Sequence, residues 1–157
     1  MTTSKLDHRR WIRMFGRDSG QSILELALVA PLLIVILVGA AEFGRLAYAA
    51  VEVSNAASAG ARYGAQNGAT ASDTTGISNA AANDAGNLTG LSTTSSISCI
   101  CSDGTAASCT DNSACPTSNI EESVTVNTTA SFDPLIHLPG FPKTFTLTGQ
   151  AIQKCLQ

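Results

Sequence analysis

The fold of this protein is decided by residues 20–65, which read GQSILELALVAPLLIVILVGAAEFGRLAYAAVEVSNAASAGARYGA. Between residues 23 and 41 this stretch is apolar apart from Glu25, which is its only charged residue. A helix needs about 20 apolar residues to cross the hydrocarbon core of a bilayer, at about 1.5 Å of rise per residue. We therefore predict a membrane-spanning segment over about residues 23–41.

The charges of the chain are divided unevenly around this segment. Residues 1–20 carry five basic and two acidic side chains, whereas residues 42–157 carry four basic and nine acidic ones. Because basic residues flank the cytoplasmic side of membrane helices, we predict a cytoplasmic N-terminus and export of everything after about residue 42. The whole chain has a net charge of −3 and only 13% charged residues. This balance does not favour a nucleic-acid-binding protein, which would carry a basic surface.

The predicted helix continues well beyond the apolar segment. Residues 42–64 contain no proline, and Glu42 and Arg45 are spaced for an ion pair on one helix face. We expect a single helix over residues 21–64, preceded by a basic cytoplasmic leader at residues 1–20. The alternative is a secretory signal peptide, cleaved at one of two places where small residues have the spacing that signal peptidase prefers. These places are Val38-Gly39-Ala40 and Ala47-Tyr48-Ala49.

Three features of this helix favour packing against other helices. Glu25 places a carboxylate in an apolar segment, which costs about 2.5 kcal/mol or more near the bilayer centre. Pro31 removes one backbone hydrogen bond from the helix. Small residues at four-residue spacing allow the close approach of a second helix. The candidate packing residues are Pro31, Ala40, Gly44, Gly60 and Gly64.

The exported part is predicted to begin with a linker of small and polar residues at positions 65–96. The composition of this linker suits a disordered chain. However, Asp73, Ile77 and Ala81 are spaced for a short helix with Asp73 or a nearby threonine as its N-cap. We favour the short helix.

Residues 97–157 are predicted to form a β-rich exported domain. Val124 and Val126 alternate with polar residues, as do Phe145 and Leu147, which is typical of strands with one buried face. Short connections predict antiparallel pairing. The expected fold class is α+β: a long N-terminal transmembrane helix followed by a small domain with a short antiparallel sheet, one short helix and disulfides. The expected strands cover residues 96–101, 123–131 and 144–152.

The stretch between the last two strands, residues 132–143, reads FDPLIHLPGFPK and contains three prolines. We favour a proline-stiffened loop that closes the core. The alternative is an apolar contact surface for another subunit or for the membrane surface. His137 in this loop is expected to face solvent or to be satisfied by a hydrogen bond. The apolar residues concerned are Leu135, Ile136, Leu138 and Phe141.

No catalytic pattern is present in the sequence. It lacks a Gly-x-Ser-x-Gly elbow, a His-Glu-x-x-His pair and a phosphate-binding glycine loop. Five cysteines follow the apolar segment, but the spacing of the first four, C-x-C-x7-C-x5-C, lacks the C-x2-C pairs of zinc sites. In an exported domain with a thin core, disulfides are expected instead. We expect no enzyme activity, cofactor, metal or small-molecule substrate.

The start of the predicted helix, Gly20-Gln21-Ser22-Ile23-Leu24-Glu25, resembles the processing site of type IV prepilins. In that family a membrane-bound prepilin peptidase cuts after the glycine and leaves a glutamate at the fifth position of the mature chain. The resemblance implies that Gly20 precedes the cut, that Gln21 becomes the N-terminus and that Glu25 is the glutamate of the motif. The N-terminal ammonium of a partner would then offset the cost of a carboxylate in the membrane.

Residues 20–65 as a whole resemble TadE-like proteins, the pseudopilins of the tight adherence (Tad, or Flp) pilus machinery. That family shows a G-Q-x-x-x-E start, an apolar run with a proline, an E-F-G-R-x-x-Y step and an A-x-x-G-A-R-Y-G-A close. One departure is Leu26, which stands where the family often has an aromatic residue. The matching residues here are Gly20 to Glu25, Pro31, Glu42 to Tyr48 and Ala57 to Ala65.

The resemblance implies a minor pilin or pseudopilin of a Tad-type (type IVc) pilus, which serves surface adhesion. Such a protein would cross the bacterial inner membrane once and hold its C-terminal domain in the periplasm or outside the cell. Its implied partners are the lipid bilayer, other pilin-like subunits and the prepilin peptidase. The alternative is a secreted or membrane-anchored, disulfide-stabilised structural or adhesive domain without a pilus role.

TadE-like proteins often carry a similar cysteine cluster around an Asp-Gly turn, here Asp103-Gly104. The resemblance therefore implies two bridges among Cys99, Cys101, Cys109 and Cys115. Four cysteines allow three connectivities. We favour the nested one, Cys101 with Cys109 and Cys99 with Cys115, with Cys155 free or exchanged into one bridge.

Overall fold

The computed structural model of the protein describes residues 17–111, 113–116, 118–137, 140 and 142–155. Its first element, α1, is a helix of 48 residues, Arg17–Gly64. The predicted long helix is therefore present, and it begins ahead of the predicted start at residue 21. Contacts along the chain define two compact units, of which the first ends at Ala41 and the second begins at Glu42.

In the first unit, α1 exposes large apolar side chains on every side. Ile23, Leu28 and Leu37 are 68%, 72% and 72% exposed. A helix that is apolar all round suits hydrocarbon rather than water, and by length and composition α1 can cross a membrane. Pro31 lies inside the helix without interrupting it. These properties fit a single-pass membrane protein.

Among the residues that the structure describes, the second unit adds two short helices and four strands to the end of α1. The strands form one antiparallel sheet in the order β2-β1-β3-β4. The predicted α+β class is confirmed, with one helix and one strand more than expected. The helices are α2, Gly68–Ser72, and α3, Thr74–Asp84, and the strands are β1, Ser92–Cys101, β2, Ala106–Ala107, β3, Ile120–Phe132, and β4, Phe145–Lys154.

The segment predicted as a linker, residues 65–96, is folded. It contains α2, α3 and the start of β1 at Ser92, so the disordered alternative is wrong. Asn67 begins α2, and its side-chain oxygen accepts hydrogen bonds from the backbone N–H groups of Ala69 and Thr70, both at 3.0 Å. A capped helix start of this kind explains how so short a helix forms.

Asp73 is the N-cap of α3, as predicted, and it also joins α3 to α1. Its carboxylate accepts hydrogen bonds from the backbone N–H of Gly76 and from the hydroxyl of Tyr63, both at 2.9 Å. These hydrogen bonds stabilise the ionised form, so the pKa of Asp73 lies below its usual value. A Cβ at position 76 would overlap the side chains of both Asp73 and Tyr63, so a larger residue there would displace this hydrogen-bonded pair.

The core of the second unit is a thin layer between helices and sheet. Val124 and Val126, which share one face of β3 as predicted, are fully buried in a cluster with Ala61 and Ile77. A second cluster, which joins α1 to α3, consists of Ala56, Ala81 and Ala85. Since small side chains dominate this layer, the backbone of α1 can approach the sheet closely.

A buried hydrogen bond fixes α1 on the sheet. The hydroxyl of Thr128 on β3 donates to the backbone carbonyl of Val53 on α1 at 2.7 Å, and both residues are fully buried. Gly149 on β4 pairs with Thr128 and lies against the same turn of the helix. A Cβ at Gly149 would stand 2.6 Å from the carbonyl oxygen of Val53 and 2.9 Å from Cα of Ser54. Only glycine allows this approach.

We expect Gly64→Leu to destabilise the second unit. A Cβ at Gly64 would lie 3.0 Å from Cγ1 of Val124 and 3.1 Å from Cδ1 of Ile77, and overpacking of this kind costs about 1–3 kcal/mol. The matched control is Gly44→Leu, because nothing lies within 4 Å of a Cβ at Gly44 and only the gain in helix propensity acts there. Hydrogen exchange of the β3 amides in the detergent-solubilised chain measures both. Equal exchange rates in the two variants would contradict the packing described here.

The lowered pKa of Asp73 predicts an acid-sensitive contribution to stability. Its stabilising effect is complete above the unfolded-state pKa of about 3.9 and is lost as the pH falls through the lower folded-state pKa. Asp73→Asn keeps a side-chain oxygen for the cap but should remove this part of the pH dependence. Thermal unfolding between about pH 7 and pH 3 measures the effect, with Asp84→Asn at the other end of α3 as control. Parallel curves for Asp73→Asn and the unsubstituted chain would argue against the role.

Candidate functional site

The predicted processing and pairing residues lie together near the start of α1. A Cβ at Gly20 would have nothing within 4 Å, and both Gln21 and Glu25 are exposed. The side-chain amide of Gln21 donates to Oε1 of Glu25 at 3.3 Å, because residues four apart lie on the same side of a helix. The carboxylate therefore faces outward from an otherwise apolar segment. Cleavage after Gly20 stays a prediction.

Three of the predicted packing residues lie on the open surface of α1. Pro31, Ala40 and Gly44 are exposed, and Gly44 has open space where a side chain would be. A second helix could approach α1 closely at these positions. Whether one does stays a prediction.

The other two predicted packing residues, Gly60 and Gly64, require a correction. Both are buried, and their nearest neighbours are the side chains of Ile77, Val124 and Val126. The side of α1 on which these glycines lie is covered by the sheet and α3 of the same chain. Their small size therefore serves contact within the chain, and this surface is closed to a helix of another subunit.

A different side of α1 stays open in the second unit. Phe43, Tyr48 and Val51 are 73%, 60% and 57% exposed. Phe43, Ala47 and Val51 are spaced at four residues and so lie along one side of the helix. We refer to Phe43, Ala47, Tyr48 and Val51 as the open apolar face. The four-residue spacing of this face is visible in the sequence. The predicted packing residues were chosen from the small residues instead, so this face was missed.

The cysteines form two disulfides, as expected, but not in the nested arrangement. Cys99 is joined to Cys109 and Cys101 to Cys115. The nested pairing that we favoured is therefore wrong. Cys155 is a free thiol.

The hairpin of β1 and β2 explains this pairing. β2 returns antiparallel to β1 with Ala107 opposite Cys99. Cys109 follows Ala107 by two residues, so the returning chain brings it beside Cys99 and carries it away from Cys101. The sulfur of Cys101 is then left for Cys115, which comes later in the same loop.

Cys155 directly follows the last residue of β4, Lys154. Its backbone N–H donates to the carbonyl of Glu122 at 2.8 Å. Burial, with the charge of Glu122 as a second cause, raises the pKa of the Cys155 thiol. A protonated thiol is a weak nucleophile and a poor metal ligand. Within the part of the chain that the structure describes, no group of three or more His, Cys, Asp or Glu side chains could hold a metal ion.

In its described residues, the loop between β3 and β4 does not close the core. Leu135 is 73% exposed and Ile136 is 45% exposed, and His137 is exposed as well. The interpretation that we favoured is therefore wrong for these residues. Leu138 and Phe141 lie outside the described residues.

The comparison with known families concerns the segment that holds the processing motif. Residues 20–62 match the TadE-like protein family. The matched segment is about a quarter of the chain, and it begins at Gly20. No curated protein and no solved structure gave a match to the chain.

The resemblance to TadE-like proteins is thus confirmed over residues 20–62. The match suggests a component associated with a Tad pilus. The TadE-like segment holds the predicted processing motif, the apolar part of α1 and most of its sheet-bound part. The sheet and the disulfides lie outside it.

We expect mass spectrometry of the non-reduced chain to find Cys99 linked to Cys109 and Cys101 linked to Cys115. Because only Ile100 separates the first two cysteines, the fragmentation must include a backbone cleavage between Cys99 and Cys101. The bridges span 10 and 14 residues, so each should contribute about 3 kcal/mol and reduction should lower Tm. Fragments that join Cys101 to Cys109 would contradict the register of β2 against β1.

Proposed function

We propose that this protein is a minor pilin or pseudopilin that takes part in assembly of a Tad-type pilus. It acts by packing its long helix against other pilin-like subunits and carries out no reaction of its own. The observation that carries the proposal is the TadE-like match over residues 20–62, which falls on a helix with exposed apolar residues along its length. Its proposed role is in building the pilus, which is an adhesive structure on the cell surface.

The proposed location is the bacterial inner membrane, with the N-terminus in the cytoplasm. The basic residues of the first 20 positions support this orientation, since they precede the apolar segment. The two disulfides of the second unit support its export, because disulfides persist in oxidising compartments such as the periplasm. Residues 1–20 act as the leader, the apolar part of α1 spans the bilayer, and the domain from residue 97 onward is exported together with the helices before it.

The proposed maturation step is cleavage after Gly20 by a prepilin peptidase. It leaves Gln21 with a free ammonium group near the membrane. An isolated carboxylate such as Glu25 costs about 2.5–3.5 kcal/mol at the bilayer centre, and this cost favours pairing with the ammonium of a neighbouring subunit. The outward orientation of Glu25 on α1 supports such a pairing. The carboxylate and the ammonium group can meet at only one axial offset between the two helices. The charge pair would therefore also set the register of one helix against the other.

We propose that two groups of exposed residues on α1 contact other subunits. The exposed small residues and the proline allow a neighbouring helix to approach, and the open apolar face provides large side chains for it to cover. Since the chain's own sheet occupies another side of α1, contact with other subunits is confined to what remains open. The proposed contact residues are Pro31 and Ala40 in the first unit and, separately, Phe43, Gly44, Ala47, Tyr48 and Val51 in the second.

The alternative function is an anchored or secreted structural or adhesive domain with no pilus role. The second unit favours it in one respect, because it has its own buried cluster and two disulfides. Cell fractionation distinguishes the proposed pilin from the secreted form of this alternative. A secreted domain would be soluble without detergent, whereas the proposed pilin needs detergent before or after cleavage.

We expect Glu25→Gln to impair pilus assembly while export and disulfide formation stay intact. The substitution keeps the size of the side chain and removes the charge that would pair with an ammonium group. Glu42→Gln is the matched control, because Glu42 lies on the same helix outside the apolar segment and pairs with Arg45 at 3.1 Å. Surface piliation measured by electron microscopy should fall for the first variant and stay normal for the second.

The mass of the mature N-terminal peptide tests the maturation step in the same cells. A start at Gln21 supports pilin processing, and a start at Ala41 or Ala50 would show a cleaved signal peptide and contradict the anchor. A start at Met1 would leave an unprocessed anchor and exclude the ammonium pairing. Normal piliation of Glu25→Gln in processed protein would rule out the register role alone.

A further inference from the structure

The two disulfides of the second unit differ in how they can be reached from solvent. Cys109 is exposed, whereas its partner Cys99 is buried. In the other disulfide both residues are buried, with Cys101 at 1% and Cys115 at 8% exposure. We refer to Cys99–Cys109 as the exposed bridge and to Cys101–Cys115 as the buried bridge. Since a disulfide is reduced by attack of a thiolate on one of its sulfurs, a reductant can reach the exposed bridge directly.

The exposed bridge holds the shortest of the described strands in place. β2 has two residues, and its pairing with β1 consists of Ala107 opposite Cys99 and Ala106 opposite Ile100. Cys109 follows two residues after this pairing and links it covalently to Cys99. Alanine has weak strand propensity, and short segments with little buried apolar surface open locally at a low cost in free energy. Without the exposed bridge, little would hold β2 against β1.

The turn before β2 is closed by hydrogen bonds that do not involve the exposed bridge. The backbone N–H of Cys101 donates to the carbonyl of Thr105 at 2.8 Å. The carboxylate of Asp103 accepts hydrogen bonds from the backbone N–H and the hydroxyl of Thr105, at 3.0 and 2.7 Å. On the far side of β2, the buried bridge attaches Cys115 to β1. Links on both sides of β2 would therefore remain if the exposed bridge were opened.

The core of the second unit is also independent of the exposed bridge. Its two buried clusters are built from alanines of the helices, Ile77 on α3, and Val124 and Val126 on β3. The hydrogen bond from Thr128 to Val53 holds α1 on the sheet. Reduction of the exposed bridge removes none of these contacts, so its effect should be confined to the neighbourhood of β2.

We propose that the exposed bridge is a redox-sensitive lock on β2, which a dithiol reductant opens while the rest of the second unit stays folded. A thiolate of the reductant attacks Sγ of Cys109 and forms a mixed disulfide, and Cys99 leaves as a thiolate that takes a proton from water. The second thiol of the reductant then attacks its own sulfur in the mixed disulfide. Cys109 is released as a thiol, and the reductant is oxidised to a disulfide. This lock does not depend on the pilus role.

The free thiol of Cys155 is too far away to take over the released sulfur of Cys99. The two residues lie on opposite sides of Glu122: Cys99 pairs with it from β1, and the backbone N–H of Cys155 donates to its carbonyl. Two strand spacings amount to about 9–10 Å, whereas the Cα atoms of bridged cysteines lie within about 7 Å of each other. Oxidation of the opened form is therefore expected to restore the bridge to Cys109, which makes the lock reversible.

Graded reduction of the full, detergent-solubilised chain tests which bridge opens first. Cys155→Ala removes the free thiol, and the chain is then treated with dithiothreitol under native conditions. Alkylation and mass spectrometry locate the thiols that appear. Cys99 and Cys109 should be labelled at least about tenfold faster than Cys101 and Cys115, because the buried bridge reacts only after local opening of the structure. Similar rates for all four cysteines, or faster labelling of the buried bridge, would overturn the proposal.

Hydrogen exchange tests whether the exposed bridge acts as a lock. The chain is kept in enough dithiothreitol to reduce the exposed bridge alone. The amides that pair β2 with β1 should then exchange at least about tenfold faster than in the oxidised chain, and the β3 amides should be unchanged. Unchanged protection at β2 would show that its pairing needs no bridge. Loss of protection in β3 would show that the bridge holds the whole sheet, and either result contradicts the proposal.

Paired serine substitutions provide the matched control. Cys99→Ser with Cys109→Ser removes the exposed bridge and should release β2 without any reductant. Cys101→Ser with Cys115→Ser keeps the exposed bridge, so β2 should stay protected until dithiothreitol is added. Equal protection of β2 in the two variants before reduction would contradict the lock. Exchange of the β3 amides verifies that each variant is folded, and the reduced natural chain gives its result independently of both.

Discussion

The second unit depends on the close contact between the backbone of α1 and the sheet. At its centre the hydroxyl of Thr128 donates to the carbonyl of Val53 in a fully buried position. This hydrogen bond forms only because Gly149 on the next strand has no side chain to hold the helix away. Leaving a buried hydroxyl unpaired costs about 1–3 kcal/mol, so the same contact that brings the two layers together also penalises their separation. The distance between α1 and the sheet therefore depends on the missing side chain of Gly149 as much as on the side chains that fill the interface.

This contact divides the surface of α1 between two uses. Gly60 and Gly64 lie against β3 and α3, while Phe43 and Val51 face outward. A stripe of small residues indicates that something approaches the helix closely, but it does not say whether that partner is another helix or the chain's own sheet. The open apolar face follows from the same division, because a helix whose small side is filled from within the chain has its large apolar residues left for other contacts.

Much of the fold can be predicted from the sequence where a structural feature depends only on residues that are close together in the chain. Alternation in β3 places Val124 and Val126 in the core, and Asp73 has the spacing of an N-cap, because strand pleating and capping act over a few residues. β2 has no such signal, since Ala106 and Ala107 have weak strand propensity and pair only because β1 offers them an edge. Strand pairing of this kind depends on tertiary context.

The disulfide pairing was beyond sequence reasoning for the same reason. Loop length alone does not distinguish a bridge from Cys99 to Cys109 from one that starts at Cys101, because the two starting points are two residues apart. The β1–β2 register decides the matter by placing Ala107 opposite Cys99. Likewise, the TadE-like match reaches only residue 62, so it carries no information about the bridges that follow.

The sheet is stabilised by packing against α1 at β3 and β4 and by disulfides near β2. The difference arises because α1 covers only part of the sheet. β3 and β4 hold the residues against which the helix packs, including Thr128 and Gly149. The loops around β2 have little apolar material, and the buried residues there are cysteines, with Cys101 and Cys115 in one bridge. Covalent links substitute for a core where a single helix cannot supply one. The helix-bound side therefore depends on close packing and the other side on oxidation, so an oxidising compartment matters most for the part of the domain that α1 does not reach.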